Sequence, residues 1–288
     1  MKSILYWLLY LQNIWIYSRK KVHLNFLELW VGQSCTLKCR DCLHMIPYVR
    51  PKIYDIEDLI LDCKRLFRIC QVDYISVLGG EPLTNRKLYR LINFIGSCPW
   101  IKDGKLITNG TILPDERLIR SLVHLNGKLD VRIDSYPGSE EKALRFYQIM
   151  QENGIRSTLL RHEVFEEMRW KWLGGLNQRQ LEPRTSQAVY THCALKGCYT
   201  LADGEFTVCP RGITTEDVFG LPENSWEHVK IRTLPCNVFG RARFAVSLDQ
   251  RIYKNYCRYC LGVSRLNPFS VSPGIQLKRR KQKPSWKK

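Results

Sequence analysis

Between residues 24 and 162 the chain alternates between short apolar runs and amphipathic stretches of helical period, and this alternation limits the fold more than any other feature. Strand-like runs fall at 24–31, 72–82, 104–110, 127–138 and 155–162, and helix-like stretches at 54–70, 85–96, 113–125 and 139–154. In the first helical stretch Ile56, Leu59, Ile60, Leu66 and Phe67 recur on one face behind an acidic first turn, the signature of a helix packed on a core. Strands joined by helix-length connections cannot pair through tight turns. They form a parallel sheet through right-handed crossovers, which places the chain in the α/β class. Five units are legible, and a sixth is expected within 163–192.

The pattern changes after Cys193. Residues 199–209 read as two short strands around Asp203-Gly204, a hairpin signal, and a smaller cysteine-bearing unit is expected over 191–265. At the other end, 1–23 form a helix whose apolar run of about thirteen residues is interrupted by Gln12 and Asn13. That run is too short for a transmembrane segment, and it lacks a small-residue cleavage site. It could make a peripheral membrane contact, with Trp7 and Trp15 at headgroup depth beside Arg19, Lys20 and Lys21. The helical spacing of Ile4, Leu8, Leu11 and Trp15 instead predicts a face packed on the body. Residues 266–288 read as a basic, disordered tail, the last thirteen carrying seven cations and no acid.

Net charge is +18, so the partner or substrate is expected to be acidic. No nucleic-acid signature with interleaved aromatics is present. Twelve cysteines in a chain of 288 residues do not suit a small secreted disulfide scaffold. They read as reduced thiols of a cytoplasmic protein, some of them metal ligands. Cys63, Cys70 and Cys98 read as buried small hydrophobes.

The stretch GQSCTLKCRDCLH, residues 32–44, follows the first strand and sets Cys35, Cys39 and Cys42 with three and then two residues between them. Three thiolates cannot close a tetrahedral zinc site, and no histidine stands at the usual spacing to complete one. A 4Fe-4S cluster has four irons, each wanting one outside ligand, so three cysteines leave one iron open. At the C-terminal end of a strand that open iron would face the mouth of a parallel barrel.

These residues resemble the radical S-adenosylmethionine (SAM) superfamily across 24–162, in the same order. Gly79-Gly80-Glu81-Pro82 after the second strand is similar to its patch for the SAM amino group. Asn109, in "ITNG", and Asp134 and Ser135, in "RIDS", stand where ribose contacts are expected by resemblance. The residue before the third cysteine, aromatic in many members, is Asp41 here. The resemblance implies a partial (β/α)6 barrel over 24–190 and a 4Fe-4S cluster that chelates SAM. One electron from a flavodoxin or ferredoxin would then yield a 5′-deoxyadenosyl radical that takes hydrogen from a carbon.

The second cysteine group, Cys193, Cys198, Cys209, Cys257 and Cys260, resembles the SPASM and twitch extensions, with enough thiols for one auxiliary 4Fe-4S cluster. A zinc ribbon is the alternative. Cys198, opposite Cys209 across the hairpin, is the expected fourth ligand, leaving Cys193 as spare thiol or hydrogen donor; Cys236 is another candidate donor. Sulfatase-maturing relatives carry an aspartate directly after an auxiliary-cluster cysteine, whereas Cys209 is followed by Pro210 and Arg211. The absence of a leader-recognition domain before the barrel favours oxidation or epimerisation of a carbohydrate or aminoglycoside-like small molecule. A ribosomal-peptide maturase and a non-catalytic iron–sulfur protein remain as alternatives.

Overall fold

In the computed structural model, which describes residues 2–125, 127–162, 171–176, 178–221 and 224–277, an eight-stranded sheet organises the chain. After helix α1 (Lys2–Ile16), strands β1 (Val22–Trp30), β2 (Cys70–Leu78), β3 (Asp103–Thr108), β4 (Leu129–Ser135) and β5 (Ser157–Arg161) lie parallel and in sequence order. Helices α2 (Ile56–Ile69), α3 (Leu88–Ser97), α4 (Glu116–His124) and α5 (Glu140–Glu152) make the crossovers. The Asp55 carboxylate starts α2 by accepting from the Glu57 and Asp58 N–H groups, and Asp115 caps α4 through Leu118 N–H. The predicted face of α2 is buried, with Cys63 inside it, and Cys70 and Cys98 join the same core.

Helix α3 begins at Leu88, later than the 85–96 stretch suggested, because the Asn85 side chain is tied to the carbonyls of Val31 and Tyr54. The α/β partial-barrel architecture therefore stands. Much of the stretch expected to hold the sixth unit, 163–170 and residue 177, lies outside the described residues. The remainder includes helix α6 (Pro183–His192).

The C-terminal strands are not set apart. β6 (Thr200–Ala202) pairs parallel to β1, and β7 (Glu205–Thr207) and β8 (Val229–Lys230) continue the same sheet. The expected separate unit from 191 is thus corrected: its hairpin covers the β1 edge, which would otherwise leave backbone groups unpaired. The turn is where the sequence placed it, with Asp203 and Gly204 both at positive φ. Helices α7 (Pro210–Phe219) and α8 (Val238–Ser247) follow β7 and β8.

Two terminal expectations are overturned. Helix α1 packs on α8, but through Tyr6, which is 1% exposed, and Leu9. The Tyr6 hydroxyl donates to Glu227 at 3.0 Å, and its ring stacks on Trp226 at 5.7 Å. The predicted face points outward, with Leu8 60% and Trp15 81% exposed. A ring with a polar handle and a buried acceptor outcompetes a purely aliphatic stripe. No described helix is long and apolar enough to cross a membrane. The tail expected from 266 does not begin there: Gln276 bridges Cys39, and Asn267 is buried. Residues 278–288, with the seven cations, lie outside the described residues.

Candidate functional site

The loop carrying Cys35, Cys39 and Cys42 leaves β1 and is gripped by the loop that leaves β2. Gly80 N–H donates to the Gly32 carbonyl at 3.0 Å, and Glu81 N–H to the Ser34 carbonyl at 2.8 Å. A Cβ on Gly79 would lie 2.5 Å from the Gly32 oxygen, and one on Gly80 2.2 Å from the Ser34 oxygen. The glycine pair is therefore required by the approach of the cysteine loop itself.

Glu81 turns inward. Its carboxylate accepts from Thr108 Oγ1 at 2.7 Å, Leu83 N–H at 3.1 Å and Asn109 N–H at 2.8 Å, pinning β2 to the end of β3. Pro82 is buried in the same turn, and Ser135 is buried at the end of β4. These three residues support the site from behind and do not line its cavity. Burial pushes the Glu81 carboxyl from 4.5 up to about 7. The folded state then binds its proton more tightly than the unfolded chain, so this group's stabilising effect is greatest below about 4.5 and is lost as pH rises through about 7. Denaturation midpoints of the cluster-free protein should fall across that window. Glu81→Gln should flatten the slope; an unchanged profile would mean the carboxyl titrates normally.

A cavity of about 320 Å³ opens in front of the two loops. Cys35, Cys39, Cys42, Gly79, Gly80, Asn109 and Asp134, all predicted from sequence, line it. Asn109 Nδ2 lies 3.2 Å from Thr36 Oγ1 and 3.7 Å from Cys35 Sγ. Asp134 is already engaged through Oδ1, with Arg132 Nε at 2.8 Å and His162 Nε2 at 3.1 Å. Burial pushes the Cys35 thiol up to about 12 and raises Cys39 and Cys42 as well. Such thiols stay protonated unless iron takes the proton's place. Beneath them Trp30, Ile46, Tyr54, Leu78, Ala202 and Ile213 form an apolar floor.

Three elements of this cavity were missed. Glu28 on β1 reaches it, held by Thr200 Oγ1 at 3.2 Å and Trp30 Nε1 at 3.4 Å, with burial pushing its carboxyl to about 7. A lone carboxylate in the apolar stretch from Phe26 to Trp30 of the strand was the available signal. Arg132 and Tyr136 enter from β4 and its loop. The third is a C-terminal strap, 271–277, laid over the cysteine loop. Arg40 N–H donates to Ile275 and Leu277 N–H to Lys38, both at 2.8 Å. Gln276 accepts from Lys38 N–H at 2.6 Å and donates to Cys39 Sγ at 3.3 Å. Nothing in its composition announces it.

The second cysteine group sits between the end of α6, the start of α7 and the turn Asn255–Tyr259. Burial pushes Cys209 well up, and the neighbouring thiols Cys257, Cys193 and Cys260 push it further. Cys257 responds likewise to Cys260 and Cys193. Backbone N–H groups reach Cys193 Sγ at 3.4 Å, from Val263, and Cys260 Sγ at 3.3 Å, from Gly262. Cys198 faces Glu28, and among the thiols only Cys193 acts on it. The structure thus gathers Cys193, Cys209, Cys257 and Cys260, which corrects the preference for Cys198. The hairpin is only three residues a side, so Cys198, before its first strand, ends on the β1 edge. Cys236 is corrected too: its thiol points at the Arg65 carbonyl on α2, outside the cavity.

No trio of His, Cys, Asp or Glu among the described residues converges on a single metal ion. A zinc site needs four donors within about 2.3 Å of one point, whereas a 4Fe-4S cube spreads its ligands over four irons. The two thiol sets fit the cube better.

No family model matches the chain. A GTP 3',8-cyclase of Syntrophomonas wolfei is 32% identical over 114 residues, 38% of this chain and 35% of that protein. Another, from Peptoclostridium acidaminophilum, is 25% identical over 171 residues, 55% of this chain and 50% of the relative. The chain thus spans about a third to a half of the curated relatives it matches. The crystal structure of BtrN in complex with AdoMet and 2-DOIA superposes with a TM-score of 0.56 and 13% identity, covering 88% of this chain and 98% of that one. The fold is shared over nearly the whole of both. Together these relatives support a radical SAM superfamily enzyme.

Within a radical SAM chain the two thiol sets make separable predictions. Cys193→Ser should lower iron from about eight per chain to about four, while Cys198→Ser should leave it near eight. Iron analysis and the visible spectrum of each variant check this. Loss on Cys198→Ser alone would restore the hairpin ligand.

Proposed function

We propose that this chain cleaves SAM reductively and uses the product to take a hydrogen atom from a carbohydrate-like small molecule, oxidising or epimerising it. The observation that carries the reading is one cavity bounded by Cys35, Cys39 and Cys42 and by Gly79, Gly80 and Asn109, with Pro210, next to Cys209, on its wall. Cys35, Cys39 and Cys42 would hold the SAM cluster, and Cys193, Cys209, Cys257 and Cys260 an auxiliary one. When bound, the first cluster and SAM supply an electron and a 5′-deoxyadenosyl radical, and the second cluster can receive an electron from the oxidised substrate.

The chain's own residues do the rest. Gly79 and Gly80 let the two loops close on each other, and Glu81 holds Asn109 in place from behind. The apolar floor around Trp30 keeps water from beneath the thiols. Glu28 and the Arg132–Asp134 pair supply polar groups in the cavity that can orient hydroxyls. Glu28, raised to about 7, is suited to accept a proton as an alcohol becomes a carbonyl. The carbohydrate lean is supported by the fold shared with BtrN, whose crystal structure holds AdoMet and 2-DOIA. The basic body fits an acidic low-potential donor such as a flavodoxin or ferredoxin.

The test is anaerobic reconstitution followed by reduction, with 5′-deoxyadenosine and methionine measured by chromatography. Release of both from SAM without added substrate is expected. A reduced protein with full iron that leaves SAM intact would place the chain among non-catalytic iron–sulfur proteins.

A further inference from the structure

Arg211 follows Cys209-Pro210 in the first turn of α7 and is 3% exposed. Its backbone N–H donates to the Cys209 sulfur, and its charge acts on Cys42, so it stands between the two thiol sets. Its Nε and Nη2 are sealed from solvent and have no hydrogen-bond partner among the described residues. A guanidinium stays charged at any working pH, and a buried charge without a counter-charge is among the costliest arrangements in a protein interior. A water molecule would satisfy the N–H groups and leave the charge uncompensated. Buried orphan donors of this kind point to a ligand.

Arg211 lines a second cavity of about 310 Å³, together with Arg40, Asp41, Cys42, Tyr48 and Trp172. Asp41, the acid among these, is paired with Arg40 at 2.8 Å, so among the described residues no carboxylate is paired with Arg211. The N-terminus of α7 adds partial positive charge at the same place. Gly79, Gly80 and Asn109, the expected SAM contacts, line the first cavity and not this one, although the two meet at Asp41, Cys42 and Val271. Whatever neutralises Arg211 therefore enters from the other side of Cys42.

We propose that Arg211 is the seat of an anionic group, a carboxylate or a phosphate, carried by the substrate. The carbohydrate is then an acidic one, such as a sugar phosphate or a uronic acid, and not an aminoglycoside-like polycation. This rests on the reading of the site given above and refines it. A chain of net charge +18 would repel a polycation and attract such a molecule.

The experiment uses the reconstituted full chain with SAM bound and inorganic phosphate as the probe, followed by phosphorus NMR line width or equilibrium dialysis. Wild type should bind phosphate, Arg211→Gln should weaken it by about tenfold or more, and Arg211→Lys should fall between. Iron content and SAM affinity should be the same in all three. Arg211→Lys keeps the charge, so the series can be read even if the Gln variant folds poorly. Phosphate binding that is absent in wild type, or unchanged by the substitutions, overturns the proposal. So does loss of SAM affinity with phosphate binding retained, which assigns the guanidinium to the SAM carboxylate. Loss of iron in Arg211→Lys makes it a counter-charge for a cluster and also overturns it. Wild type that cleaves SAM but ignores phosphate would remove this inference alone. Arg211-dependent phosphate binding without SAM cleavage would remove the parent reading alone.

Discussion

Replacing Cys35, Cys39 and Cys42 together by alanine is expected to abolish 5′-deoxyadenosine formation while the chain stays folded with about four of its roughly eight irons. Full loss is expected because the chemistry needs an open iron, and no other thiols reach the glycine pair. The second group stands apart, its sulfurs grouped around Cys209. Folding should survive because the cysteine loop is held by its backbone. Gln33 N–H donates to Lys52 at 2.7 Å, Gly80 to Gly32 and Glu81 to Ser34, and none of these bonds uses a thiol. Each alanine removes a partly buried sulfur from a loop edge, which costs far less than a core cavity. The remaining iron should keep its own visible spectrum. Cleavage at wild-type rate by the triple variant would refute the assignment of the SAM cluster, and loss of all iron would refute the independence of the two sites.

The second large effect concerns the C-terminus. A chain ended after 277 should keep both clusters and full SAM cleavage, whereas one ended after 270 should lose about half its iron and most of its cleavage. The strap 271–277 contributes two backbone hydrogen bonds and both Gln276 contacts to the cysteine loop, each worth about 1 kcal/mol net. It also supplies the wall from Val271 to Gly274, so its removal opens the thiols to water. Gln276→Leu isolates one part of this. Without the Nε2–H to Cys39 Sγ contact the reduced cluster is less stabilised, and its potential should move lower, read by redox titration. If truncation after 270 leaves iron and potential unchanged, the strap is only a neighbour of the site.

The sequence by itself determined the parallel order of the sheet, the helices between its strands, and the thiols of the first group. Each of these is written locally. Ile56, Leu59, Ile60, Leu66 and Phe67 repeat with the helical period, and an acidic first turn marks where the helix starts. Cys35, Cys39 and Cys42 lie within one short loop, so spacing alone states what they can hold. The inward turn of Glu81, the second role of the glycine pair and the engagement of Asp134 were not legible, because each depends on a neighbour from another part of the chain.

Only the tertiary structure decided the rest, and the reason is physical in each case. Helix α1 is apolar on nearly every side, so its period could not say which face is buried; Trp226 and Glu227, more than two hundred residues away, chose Tyr6 and Leu9. Cys193 and Cys198 are five residues apart, and the hairpin favoured Cys198 on paper, whereas in the fold Val263 comes to rest beside Cys193. The strap has no period to read, since its bonds run along an extended backbone to residues at the other end of the chain. The burial of Arg211 has no local signal either, and comes from the packing of α7 against the cysteine loop. Local patterns specify elements, because they depend on neighbours within a turn or two. Partners, burial and unsatisfied charge depend on which distant surfaces meet, and a linear pattern does not carry that information.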